Sequence, residues 1–330
     1  MIQSGVALQP VDDPSDFEVL VREIDSLGYD KLWMTDSSLH ARYVYSYLTL
    51  ASTWTKSLKF GTAVTNPLTR HPAVTAVAAS TLDLISGGRF TLGIGAGDRP
   101  LLSLGLKPAS IGVLERSISD IRNLWAGGSV SDAGEGFQLE DAHMRFPAGG
   151  PIEIYVSASG PATLRMAGRV ADGVVLLAGL DPQIVQWALD RIDEGVSEAS
   201  RSVRPHVAVF AYGVVSEDSE SAMASARTIA AWFPQTVPKL CEVAGLDPKI
   251  ISAVQQSYVG GEFQEASGAA MLLPEEFVRR MALAGDILEA KKHIRNLIDL
   301  GIDSVNVFPL GADRIGTIRS FRQALMEVDR

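Results

Sequence analysis

Eight short runs of β-forming residues recur along the chain, each followed by a stretch of helical periodicity, and this alternation constrains the fold more than any other feature. The runs are Gln3–Leu8, Lys31–Met34, Lys59–Thr62, Phe90–Ile94, Ile154–Ser157, Gly173–Leu177, Val207–Val215 and Ser304–Phe308. Between the first two, "SDFEVLVREIDSLG" places Phe17, Leu20, Val21, Ile24 and Leu27 on one helical stripe, and Gly28 ends it. "PAVTAVAASTLDLISGG" repeats the design, with Pro72 in the first turn and Gly87 beyond the last. Parallel strands need crossovers of this length.

Such units fit an α/β fold built as a single (β/α)8 TIM barrel over residues 1–330, and that length lies within the range of one barrel. A doubly wound sheet shares the same alternation. Two stretches interrupt it. "SVSDAGEGFQLEDAHMRFP" reads as a hairpin inserted before the fifth strand. Residues 219–281 read as a helical insertion, too long for one crossover, that forms a lid or wall beside the barrel mouth.

A formal charge of −10 argues against nucleic acid or an anionic membrane surface as partner, because phosphate affinity needs basic surface. The lone cysteine, Cys241, excludes an internal disulfide framework and a multi-cysteine metal site, and the histidines show no metal-ligand spacing. The start "MIQSGVALQP" lacks a basic region followed by an apolar core, and no apolar run approaches the roughly 20 residues that span a bilayer. A cytoplasmic protein acting on a small molecule is the expectation.

"LGIGAGD", Leu92 to Asp98, has the look of a glycine loop that binds a dinucleotide. The fingerprint G-x-G-x-x-G requires a glycine where Asp98 stands, and the next amphipathic helix starts only near Ser110. A barrel offers another use, since residues at the C-terminal strand ends line the active site. Gly95 and Gly97 would let a flat ligand approach the backbone, and Asp98 would either point into the mouth or cap a short helix.

Three stretches together resemble the luciferase-like monooxygenase superfamily, in particular its coenzyme F420-dependent branch, which includes methylenetetrahydromethanopterin reductase. They are "LGYDKLWMTDS", "LKFGTAVTNPLTRHPAVTAVAASTLDLISGGRFTLGIGAGD" and "IEIYVSASGPATLRMAGRVADGVVLL", with "GIDSVNVFPLG" matching the closing strand. The resemblance implies a barrel that binds a deazaflavin or flavin at the strand C-termini, in a homodimer. It implies a bulge with a non-prolyl cis bond at Ala63–Val64, with Thr65 and Asn66 beside it, pressing on the central ring. It also implies a phosphate held after the fifth strand at Ala158, Ser159, Gly160 and Thr163, where helix-start amides attract anions. Arg70, in "TRHP", could meet the anionic tail of F420 or simply be solvated.

Two departures set this chain apart from those relatives. Ala7 stands where methanopterin reductases carry a glutamate, and Ser37 and Ser38 follow Asp36 where a histidine is common. Asp36 and Asp98 therefore remain as the ionisable groups expected near the ring, with Asp98 favoured as proton donor. The resemblance implies an F420-dependent oxidoreductase moving hydride between C5 and a small organic C=N, C=C or C=O substrate. An FMN-dependent monooxygenase using reduced flavin and oxygen is the alternative, followed by a cofactor-binding barrel without turnover.

Overall fold

The computed structural model describes residues 2–258 and 266–328. Its strands are β1 (Gln3–Leu8), β2 (Lys31–Met34), β3 (Lys59–Thr62), β4 (Phe90–Ile94), β5 (Val130–Asp132), β6 (Leu139–Ala142), β7 (Glu153–Ala158), β8 (Gly173–Leu176), β9 (His206–Val215), β10 (Leu283–Gly285) and β11 (Ser304–Pro309). The large sheet runs β10-β9-β11-β1-β2-β3-β4-β7-β8, and β8 also pairs with β9. That last pairing closes eight strands into a (β/α)8 barrel and removes the sheet edges that an open fold would expose. The doubly wound alternative is thereby excluded. Each of the eight expected strands is present, with ends shifted by a residue at most. The short β10, which pairs in parallel with Gly213–Val215, was not foreseen; three apolar residues carry no readable period.

Local chemistry explains the element boundaries. The helix Pro14–Ser26 buries Phe17, Leu20, Val21 and Ile24 and is followed by Gly28 at φ 72°, the left-handed position that favours glycine. Ser110 caps the helix Ile111–Trp125, its hydroxyl accepting from the Val113 amide. The inserted hairpin is β5 paired antiparallel with β6, fixed to that helix by the Arg116–Asp132 ion pair at 2.8 Å. The insertion is helical where described, from Ser219–Ala230 to Glu275–Met281; residues 259–265 of it lie outside the described residues. Among the described residues no helix is long and apolar enough to cross a membrane.

The chain forms two compact units. One comprises the chain up to Val6, Ala158–Arg169 and Leu176 onward; the other comprises Ala7–Ser157 and Val170–Val175. In the first, Val207, Ala208, Val209 and Ala211 of β9 are buried, as are Val305 of β11 and Phe321 of the last helix. In the second, Trp33 and Tyr155 meet at 5.6 Å between ring centroids, with the Lys31 ammonium over both rings and donating to Thr91 Oγ1 at 2.9 Å. Burial pushes that amine down to about 8, against the attraction of Glu153.

Candidate active site

The second unit carries the feature on which the site depends, at the end of β3. In register, Gly61 lies beside Thr91, and the next bridge joins Thr65 to Ile94, so four steps on β3 match three on β4. The extra residue makes a β-bulge, and the Ala63–Val64 bond within it is cis. The Thr62 hydroxyl spans the gap in the ladder. It donates to the Gly93 carbonyl at 2.7 Å and accepts from the Gly93 amide at 2.9 Å. Beyond the bulge, the Thr65 amide donates to Gly93 O at 3.0 Å, and the Gly95 amide donates to Thr65 O at 2.9 Å. From the other side, the Ala63 amide donates to Met34 O of β2 at 2.7 Å. Ala63 and Val64 are left half-buried, presenting a small apolar surface at the C-terminal strand ends where barrels place their ligands.

The glycines of "LGIGAGD" sit behind this bulge. A Cβ on Gly93 would collide with the Thr62 carbonyl oxygen. One on Gly95 would lie 2.9 Å from Val64 Cγ2 and 3.2 Å from Ser157 Cβ. Gly97, at φ +88°, lies against Leu101 and Asn66. The expectation that Gly95 and Gly97 leave bare floor for a ring thus acquires a different physical content: the bare backbone makes room for protein, namely the bulge and its neighbours. Asp98 follows, half-buried, directly before the short helix Arg99–Leu102, with its carbonyl accepting from the Leu101 amide at 2.9 Å.

Asp36 and Arg70 come together beside the bulge. Arg70 forks onto the Asp36 carboxylate, Nη1 to Oδ2 and Nη2 to Oδ1 at 3.3 Å, and Nη1 also donates to Thr65 Oγ1 at 2.8 Å. Both side chains are buried, and the guanidinium lies over the Tyr43 and Tyr45 rings at 5.0 and 4.9 Å. Burial works to lower the Arg70 pKa, but the hydrogen bond and charge of Asp36 outweigh it and hold the guanidinium above its ordinary value. Burial pushes the Tyr45 hydroxyl up, against the pull of Arg70. Asn66 closes the intervening turn: its Oδ1 accepts from the Leu68 and Thr69 amides at 3.0 and 2.8 Å. His71 caps the helix Pro72–Ser86 through the Ala73 amide, and its Nε2 meets the Gln138 carbonyl at 2.9 Å.

The first unit holds the other expected residues. Ala158 ends β7, Ser159 and Gly160 form a half-exposed turn, and the helix Pro161–Val170 follows with no acidic residue in its first turn. First-turn amides have no partner within a helix, and a Cβ on Gly160 would meet open space, so the turn suits an anion. Sequence reasoning missed an aromatic pair in this unit. Arg322 of the last helix donates to Ser4 Oγ, which turns Ser4 and its register partner Val305 toward the helices. Alternation then turns Phe308 to the opposite face, beside Tyr212, with their rings stacked at 4.7 Å and 15°. A cavity of about 470 Å³ lies elsewhere in this unit, lined by Met223, Arg227 and Met271 among others.

The fold and the bulge define a class. Residues 2–304 match the family model of the luciferase-like monooxygenases, and the chain belongs to that family. Within it, the chain is 30% identical to the 5,10-methylenetetrahydromethanopterin reductase of Methanolobus tindarius over 320 residues, 96% of this chain and 97% of that one. It is 34% identical to the F420-dependent glucose-6-phosphate dehydrogenase of Microbacterium testaceum over 202 residues, 57% and 59% of the two chains. The solved coenzyme F420-dependent tetrahydromethanopterin reductase of Methanopyrus kandleri superposes with a TM-score of 0.85 at 27% identity, covering 99% of each chain.

Proposed function

We propose that this chain is a coenzyme F420-dependent oxidoreductase that moves hydride between the cofactor and a small organic substrate bearing a C=N, C=C or C=O bond. The observation that carries this reading is the Ala63–Val64 bulge, half-exposed and backed by Gly93 and Gly95, in a chain alike over nearly its whole length to an F420-dependent reductase. When bound, F420 supplies hydride chemistry at C5. The residues around the bulge fit such a group: Ala63 and Val64 offer an apolar surface to a flat ring, while buried Thr65 and Asn66 keep that surface rigid through their hydrogen bonds.

Asp98 is our candidate to move the proton that accompanies the hydride. Its place just after the glycine row puts a carboxyl at the C-terminal end of β4. In the other unit, the amides and hydroxyls at Ser159, Gly160 and Thr163 are the candidate anion holders, and the Tyr212–Phe308 stack offers surface to an apolar substrate group. Ala7 is fully buried in β1, where methanopterin reductases were expected to carry glutamate. That loss argues against a methanopterin as the substrate.

The test is separate titration of the purified protein with F420 and FMN, read by fluorescence quenching. F420 binding at least tenfold tighter than FMN binding, about 1.4 kcal/mol, supports the proposal. Preferential FMN binding with oxygen-dependent product formation would replace it with the monooxygenase reading. A homodimer is part of the proposal. Val74, Val77, Leu84 and Ile85 form an exposed apolar stripe on one face of the helix Pro72–Ser86, a surface that a second copy would cover. Light scattering after size exclusion checks it. One buried cysteine and the absence of a membrane-crossing helix among the described residues fit a cytoplasmic enzyme.

A further inference from the structure

We propose that Arg70 is a positioning residue that locks Asp36 and Thr65 behind the bulge, and that Asp36 is consequently an anchor and not a proton donor. The cofactor-binding part of the test rests on the F420 reading above; the stability part does not.

A guanidinium that binds an anionic ligand needs donors that the ligand can reach. Arg70 has spent its fork inside the protein, with two nitrogens on the two Asp36 oxygens and one of them shared with Thr65 Oγ1. Its side chain is 8% exposed and that of Asp36 5%. Tyr43 and Tyr45 cover the guanidinium and are also the titratable groups that bear on the pair. The planar fork matches the carboxylate in a way that a lysine ammonium cannot.

The consequence reaches the bulge through Thr65. Its amide and carbonyl are the two groups that resume the ladder with β4, on Gly93 O and from the Gly95 amide. Its hydroxyl is held by Arg70. The Asn66 turn returns the chain so that Arg70, five residues after Thr65, points back at it, and Asp36 ties the assembly to the end of β2. Both Asp36 oxygens serve as acceptors for a cation, so the carboxylate has no proton to give.

Removing one partner of a buried ion pair strands the other charge, whereas removing both does not. The variants R70Q, R70K and D36N/R70Q of the full chain separate these cases. F420 affinity is measured from about pH 5 to pH 8 and expressed relative to wild type at each pH, which cancels any titration of the cofactor itself. R70Q should bind about tenfold or more weakly at the upper end, and the deficit should shrink toward the lower end as the stranded Asp36 carboxyl takes up a proton. In D36N/R70Q the deficit should be independent of pH, and R70K, with charge but no fork, should show a smaller deficit that is also flat. Urea unfolding without cofactor should show a lowered midpoint for R70Q that D36N restores. A general loss of folding would lower affinity without this pH signature. Wild-type affinity for R70Q, a deficit constant with pH, or an unfolding midpoint that D36N fails to restore would each overturn the assignment. If wild type fails to bind F420, the function reading falls, and the unfolding arm still decides the role of Arg70.

Discussion

Gly95→Ala tests whether the glycine row exists to receive the bulge. Gly95 does not need a left-handed backbone, so alanine meets no conformational penalty there, and any cost is steric. The new methyl would lie 2.9 Å from Val64 Cγ2 and 3.2 Å from Ser157 Cβ. The first contact is too close for carbon and forces a shift; the second is tight but tolerable with a few tenths of an ångström of give. Overpacking of this kind costs about 1–3 kcal/mol, and because Val64 is half-exposed and can swing outward we expect the lower half of that range. The outward swing deforms the apolar surface offered to the ring, so F420 affinity should fall by roughly tenfold, equivalent to about 1.4 kcal/mol.

The clash has one dominant partner, and a double-mutant cycle isolates it. Val64→Ala removes that methyl, so Gly95→Ala/Val64→Ala should be more stable than the sum of the single changes by about 0.5–2 kcal/mol. Gly93→Ala supplies the contrast. Its methyl meets the Thr62 carbonyl oxygen, which is backbone and cannot be trimmed, and only secondarily Val64 Cγ1 at 3.0 Å, so Val64→Ala should relieve the smaller part of that clash and leave most of the cost. Urea unfolding followed by tryptophan fluorescence gives the stabilities, and F420 titration gives the affinities. Additivity of Gly95→Ala with Val64→Ala within about 0.3 kcal/mol, or full rescue of Gly93→Ala by Val64→Ala, would refute the reasoning.

Three further outcomes are expected. Asp98→Asn should lower turnover by about a hundredfold or more while leaving F420 affinity within about twofold, and unchanged turnover removes its proton-transfer role. Gly160→Asp enters open space at a helix start, so it should stabilise the fold slightly, by about 0.3–1 kcal/mol, yet weaken cofactor binding by about tenfold; equal effects of one sign would argue against an anion site there. Lys31 gives a pH signature. Its amine is pushed down from 10.5 to about 8 in the fold, so below about pH 8 both folded and unfolded chains carry the proton and the full burial cost is felt. Between about 8 and 10.5 the unfolded chain still holds the proton that the folded chain has released, and stability rises by up to about 3 kcal/mol. Lys31→Met should flatten that rise in urea unfolding at pH 7 and pH 10, and an equally steep rise in the variant assigns it to other groups.

The strand–helix alternation, the Gly28 stop, the helix start near Ser110 and the β5–β6 hairpin were all legible in the sequence, because each is encoded by residues within one or two turns of one another. Two readings of the site come only through likeness to a family: the bulge at Ala63–Val64, which the structure contains, and the anion-holding turn at Ser159–Thr163, which is a proposal. Neither has a local signal that separates it from an ordinary strand end or turn. Closure was decided by tertiary structure alone, since strand–helix units are common to open sheets and barrels and only the β8–β9 pairing distinguishes them.

The roles of individual side chains were decided the same way. "TRHP" read locally is a loop arginine before a helix; in the fold Arg70 is buried against a carboxylate 34 residues back along the chain. Gly95 and Gly97 in "LGIGAGD" read locally as room for a ligand, and in the fold that room is filled by Val64, Ser157, Leu101 and Asn66. The physical reason is the same in both cases. Hydrogen-bond periods and caps act over a few residues and leave their mark on the sequence, whereas ion pairing and steric fit depend on which distant segments the closed sheet brings side by side.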